Sequence, residues 1–256
     1  MAELTAVAEY LHREALGAWQ GGDLVSAVRK LREAIVHNPN VAAYHANLGV
    51  MLKFHGVVDD RIACYRQAIA LAPYDATYHA NLTAALNEAG SHVEGETVAR
   101  RAIALDPQRP ESYFNLGSSL AGQGRWNLAA EAFDAAIERK SDWVDALRAV
   151  AESWRRCGAW TGETVQRFNA WMEQLPEETP LEDKADLLQL LGQALESQYR
   201  HAEAEACYRH ALALAPDQAP LLTDLGNVLK GLGQFDEAMR CYRRSLELEP
   251  ANAVAH

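Results

Sequence analysis

Cys64, Cys207 and Cys241 are the residues best suited to ligate a metal or cycle through a disulfide, and each opens the same phrase, Cys-Tyr-Arg. His45 and His79, the next candidates for ligation, also share a phrase: Tyr-His-Ala-Asn-Leu stands at 44–48 and again at 78–82, a step of 34 residues. Repetition at a fixed step places such residues on equivalent points of successive structural units. For stacked helices those points lie roughly 10 Å apart, beyond the limit of about 7 Å between the Cα atoms of a disulfide. The cysteines, with Cys157 standing alone, therefore read as small buried hydrophobes in a reducing compartment. The histidines read as space-filling side chains between units. The sequence holds no HExxH pair, phosphate-cradling glycine loop or GxSxG elbow. No catalytic residue, metal site or cofactor is expected, and this segment is not expected to be an enzyme.

The same step of 34 organises nearly the whole chain. Frames beginning at Ala8, Ala42, Ala76, Pro110, Val144, Ala185 and Ala219 align column by column. Column 8 is small (Gly49, Thr83, Gly117, Ala151, Gly192, Gly226) and column 27 is alanine or serine (Ala34, Ala68, Ala102, Ala136, Ala170, Ala211, Ser245). Small residues there let two helix axes approach closely. Column 15 is glycine in six frames (Gly22, Gly56, Gly90, Gly124, Gly158, Gly233), which suits a left-handed turn at a helix end. Column 24 holds Leu31, Tyr65, Phe133, Tyr208 and Tyr242, and proline closes five frames at column 32 (Pro39, Pro73, Pro107, Pro216, Pro250). Each frame therefore predicts a helix, a tight turn, a second helix and a reset.

Residues 111–138 and 223–250 carry this Leu-Gly, Gly, Ala, aromatic, Ala, Pro pattern most fully, and the pattern resembles the tetratricopeptide repeat over about residues 8–252. The resemblance implies an all-α, right-handed superhelical solenoid of about seven helix-turn-helix repeats. It also implies a protein-binding or peptide-binding scaffold, with the first helix of each repeat lining a groove through columns 2, 5, 6, 9, 12 and 13. On that assignment column 6 places Asn47, Asn81 and Asn115 one repeat apart, followed by Ala149, Leu190 and Asp224. A carboxamide both donates and accepts, so a row of them would hold an extended peptide by its backbone. Within the phrases His-Ala-Asn-Leu these asparagines are the residues that packing leaves unexplained. Thr77, Phe114, Arg148 and Arg155 occupy neighbouring groove columns. The asparagine row is similar to that in the repeat region of O-linked N-acetylglucosamine transferases, which opens an alternative: the substrate-recruiting arm of a larger glycosyltransferase-like enzyme. Self-association is a third reading. A carboxylate clamp for chaperone tails is disfavoured, because of its Lys, Arg and Asn set only the Asn stands in the corresponding columns.

Departures from the frame are informative too. Arg61 occupies column 20, where a small residue belongs, so the second helix there is expected to start late or lean outward. The fifth frame fits worst and runs into Pro-Glu-Glu-Thr-Pro-Leu-Glu-Asp-Lys at 176–184, an insertion of about seven residues. The organisation expected is an N-terminal block at 1–143, an irregular repeat at 144–184 and a C-terminal block at 185–256. Five tryptophans fall between 126 and 171; they read mainly as packing, with Trp143 the best candidate for exposure. Arg148, Arg155 and Arg156 form the one basic cluster, open either to an acidic partner or to the acidic insertion. The final Ala-Asn-Ala-Val-Ala-His looks like the start of an eighth frame, as in the leading segment of a longer protein. The chain carries 35 acidic against 24 Lys and Arg residues, a formal charge of −11, which opposes a phosphate backbone. With no run near the roughly 18 apolar residues of a membrane span and charges throughout the first twenty residues, no nucleic acid, no membrane and a cytoplasmic location are expected.

Overall fold

A computed structural model describes residues 2–54 and 58–250; Gly56 and the Ala-Asn-Ala-Val-Ala-His ending lie outside the described residues. Among the described residues there are fourteen α-helices and no strand, paired as the frames predict. The pairs are α1 (Ala2–Gln20) with α2 (Leu24–His37), α3 (Ala42–Leu52) with α4 (Val58–Leu71), and α5 (Ala76–Glu88) with α6 (His92–Leu105). They continue with α7 (Pro110–Gly122) and α8 (Trp126–Arg139), then α9 (Val144–Cys157) and α10 (Gly162–Glu173). The last are α11 (Leu181–Ser197) with α12 (His201–Leu214) and α13 (Ala219–Gly231) with α14 (Phe235–Leu248). The chain divides into two compact units, Met1–Ala132 and Phe133–His256, with the division inside α8.

The turn between paired helices is set by one backbone conformation. Gly22, Gly90, Gly124, Gly158 and Gly233 all have φ between 69° and 83°. In each case the next residue's N–H returns to a carbonyl five residues earlier, as in Asp23 N to Ala18 O at 2.9 Å and Arg125 N to Leu120 O at 3.0 Å. The sixth repeat makes the same bond, Arg200 N to Leu195 O at 3.0 Å, but its left-handed residue is Tyr199, at φ 60°.

Close packing of the two helices explains columns 8 and 24 together. The tyrosine ring of column 24 lies flat over the backbone at column 8, so a Cβ added at Gly49, Gly192 or Gly226 would sit 2.7, 2.5 and 2.5 Å from the rings of Tyr65, Tyr208 and Tyr242. The alanines of column 27 from Ala34 to Ala136, and Ala211, are fully buried, and the apolar core follows these seams from repeat to repeat. Column 4 ties three consecutive repeats to the connections before them. His45 Nε2 and His79 Nε2 donate to the carbonyls of Pro39 and Pro73 at 2.8 and 3.0 Å, and the Tyr113 hydroxyl donates to Pro107 O at 3.2 Å. The histidines are buried, as a space-filling role requires, but they also cap a connection.

Two departures resolve differently from expectation. α4 begins at column 17 like its counterparts, so Arg61 does not delay it; the side chain is 4% exposed and its guanidinium meets Glu88 of α5 at 2.6 Å. The extra residues of the fifth frame do not form one loop. Connections between repeats elsewhere run four residues, as at 38–41 and 215–218, whereas 174–180 takes seven and α11 gains an extra first turn at 181–184. α10 also starts two columns late and touches α9 and α11 along much shorter seams than α12 and α14 make with the first helices beside them. An aromatic stack compensates in this repeat. Trp154 lies parallel to Trp171 at 5.8 Å and meets Trp160 edge-on at 5.2 Å, and Trp160 meets Phe168 at 5.5 Å. Trp143 is not exposed as expected: it is half-buried, with the Lys140 ammonium 5.4 Å from its ring.

Candidate functional site

Asn47, Asn81 and Asn115 are all half-buried on the first helices of consecutive repeats, α3, α5 and α7. Two of them are engaged within the fold. Asn115 donates from Nδ2 to Ala80 O at 3.0 Å, while its main-chain carbonyl accepts from Asn87 Nδ2 at 2.9 Å. Asn47 donates from Nδ2 to His12 Nε2 at 2.9 Å; burial pushes the His12 imidazole below its ordinary pKa, which keeps that nitrogen an acceptor. The sixth column behaves alike in the second unit, where Asp224 Oδ2 accepts from Gln189 Nε2 at 2.7 Å and Gln193 Nε2 at 3.1 Å. In all three repeats the column 6 side chain meets column 5 of the preceding repeat, 35 residues earlier. Asn81 breaks this rule: among the described residues no hydrogen bond to its carboxamide is formed. The reading that packing leaves these asparagines unexplained therefore stands for Asn81 and is corrected for Asn47 and Asn115. For Asn47 and Asp224 the signal for the tie, a polar pair at a spacing of one repeat plus one, was present in the sequence; Asn115 bonds a main-chain carbonyl at Ala80, which no side-chain pair marks.

The other predicted residues are placed as follows. Thr77 N–H donates to Asp75 Oδ1 at 2.8 Å as a helix cap, and its hydroxyl accepts from Arg109 Nη2 at 3.0 Å. Phe114 is half-buried on α7 beside Asn115. Arg148 is held by Asp183 at 2.5 Å and Asp186 at 3.0 Å, both on α11. Arg155 makes two bonds to Glu152, at 2.7 and 2.6 Å, and Arg156 Nε shares the same carboxylate at 2.7 Å. The basic cluster is thus paired internally, so a cation held open for an acidic partner is not what the fold provides there.

Burial pushes the thiols of Cys64 and Cys207 up to about 11 and raises that of Cys241, so these cysteines stay protonated at neutral pH and are poor nucleophiles. All four cysteines are unpaired. No three His, Cys, Asp or Glu side chains among the described residues converge as a metal would require. No helix among them is long and apolar enough to cross a membrane. The most strongly held carboxylate is structural: Glu96, 7% exposed, receives Gln123 Nε2 at 2.7 Å and Arg125 Nη1 at 2.8 Å, with Arg100 alongside. Although burial opposes its charge, these donors hold its pKa down to about 2.

A repeat array of paired helices defines a class, the helical-hairpin scaffolds. Tetratricopeptide repeat families match residues 114–178 and 183–250, together just over half of the chain, and the chain belongs to the tetratricopeptide repeat family. No curated protein matches the sequence. Among solved structures, a tetratricopeptide repeat protein from Parabacteroides merdae is 18% identical with a TM-score of 0.65, covering 98% of this chain and 96% of its own. PilF of Pseudomonas aeruginosa is 17% identical with a TM-score of 0.58 over 99% and 96%. YrrB, described as a tetratricopeptide repeat protein with an unusual peptide-binding site, is 14% identical with a TM-score of 0.60 over 75% and 95%.

Proposed function

We propose that this chain is a non-catalytic scaffold that binds an extended peptide along its first helices, with Asn81 as the central contact and Asn115 and Phe114 beside it on the next repeat. The observation that carries this is the Asn81 carboxamide, a donor and acceptor half-open to solvent, with no partner among the described residues, between two rows whose counterparts are engaged. A backbone-directed amide of this kind favours peptides by conformation rather than by sequence. The fold shared with YrrB supports a peptide as the ligand class. Reduced, half-buried cysteines suit work in a reducing compartment such as the cytoplasm. The comparisons lend no support to an arm of a glycosyltransferase, and that alternative is not proposed.

The test is a fluorescence-anisotropy screen of a random library of labelled twelve-residue peptides against the intact chain, repeated with Asn81→Ala. Because the Asn81 carboxamide makes no hydrogen bond among the described residues, the variant is expected to melt with the wild type while losing at least fivefold in affinity for the peptides retained. Unchanged affinity for all of them would remove Asn81 from the site.

A further inference from the structure

The irregular fifth repeat borders an opening in the second unit. Because α10 is short, the 174–180 connection is long and α11 starts a turn early, a cavity of about 520 Å³ lies between α10, α11 and α12. Its wall is aliphatic: Met172, Leu175, Leu181, Leu188 and Leu214 line it, and Leu181 is 55% exposed. The volume falls in the range of roughly 300–1,000 Å³ typical of ligand sites and exceeds what one aliphatic side chain fills. Its polar lining is Asn169, Glu173, Lys184 and His210.

Charge around the mouth selects the occupant. Glu173 lines the cavity; Glu177, Glu178 and Glu182 stand exposed on the connection and first turn that carry Leu175 and Leu181. Among the described residues none of these four carboxylates has an ion pair, whereas the neighbouring Asp183 and Asp186 share Arg148 as a partner. The opposing cation, Lys184, is turned to the connection's own backbone, donating to Glu177 O at 3.1 Å. The geometry points to a second binding site, separate from the first-helix face around Asn81, that takes a basic, leucine-bearing peptide segment: aliphatic side chains enter the cavity and flanking Lys or Arg residues meet the four glutamates.

The probe is a fluorescein-labelled peptide of alternating paired leucines and lysines, compared on the full chain with the same peptide carrying glutamate for lysine and with sodium decanoate as a competitor. Saturable binding of the lysine peptide is expected, at least tenfold tighter than the glutamate peptide and weakened severalfold between 50 and 500 mM salt. Leu181→Trp, which blocks the opening from an exposed position, and Glu173→Lys with Glu178→Lys, at exposed positions, should each reduce affinity at least fivefold with circular dichroism unchanged. Asn81→Ala should leave it unaltered. Displacement of the lysine peptide by decanoate is expected, since both place an aliphatic chain in the cavity; equal binding of the glutamate peptide, or loss with Asn81→Ala but not with Leu181→Trp, would each overturn the assignment.

Discussion

Tyr199 does the work that glycine does in every other described turn between paired helices. Its φ of 60° crowds Cβ against the backbone, a cost of roughly 1–2 kcal/mol for an L-residue, and its ring, 85% exposed, recovers little by packing. Tyr199→Gly is therefore expected to stabilise the chain by about 1 kcal/mol, a rise of roughly 2–4 °C in thermal midpoint by calorimetry. Glu96 is the opposite kind of residue, a buried charge whose partners are all in place. Its folded pKa of about 2 lies below the ordinary 4.5, so its contribution is full above the ordinary value and is lost as pH falls through the folded one. Glu96→Gln should cost about 1–3 kcal/mol at pH 7 by urea titration, and the gap to wild type should close as the pH approaches 2. A gap independent of pH would assign the loss to packing instead.

At the scale of the element, α10 is held less extensively than α12 and α14. Its seams to α9 and α11 are short, and a stack of Trp154, Trp160, Phe168 and Trp171 replaces the small-residue contacts of the regular repeats. Neighbour contacts hold such arrays together, so a helix with short seams should open locally before its neighbours. Amide hydrogen exchange is expected to be faster across 162–173 than across 201–214, by at least tenfold. The sequence showed that the fifth frame was irregular, through Glu163 at column 20 and the displaced proline. It did not show how seven extra residues would be shared between a connection and a turn of α11. That division sets Leu175, Leu181 and Leu188 around one cavity with Leu214 of α12, a juxtaposition of residues distant in sequence that no local pattern specifies. Arg61 teaches the same point: by column it violates the small-residue rule, but Glu88 on the next helix supplies the partner that admits it.

Over the whole molecule, the sequence by itself determined the architecture. A period of 34 with glycine, alanine, aromatic and proline at fixed columns specifies helix ends and helix faces locally, and local rules repeated seven times leave no other fold to choose. It also excluded the chemistry of familiar catalytic motifs, since their residue types and spacings are missing. The tertiary structure decided which polar residues are spent on the fold and which face outward. Asn47, Asn81 and Asn115 are indistinguishable by type and column, yet His12 and Ala80 engage two of them and nothing described engages the third. For Arg148 and Arg155 the sequence left both an acidic partner and internal pairing open, and the structure sets Asp183, Asp186 and Glu152 against them. The reason is physical: a helix propensity or a turn is fixed within a few residues, but a hydrogen bond or ion pair is fixed by whatever the next repeat brings within about 3 Å.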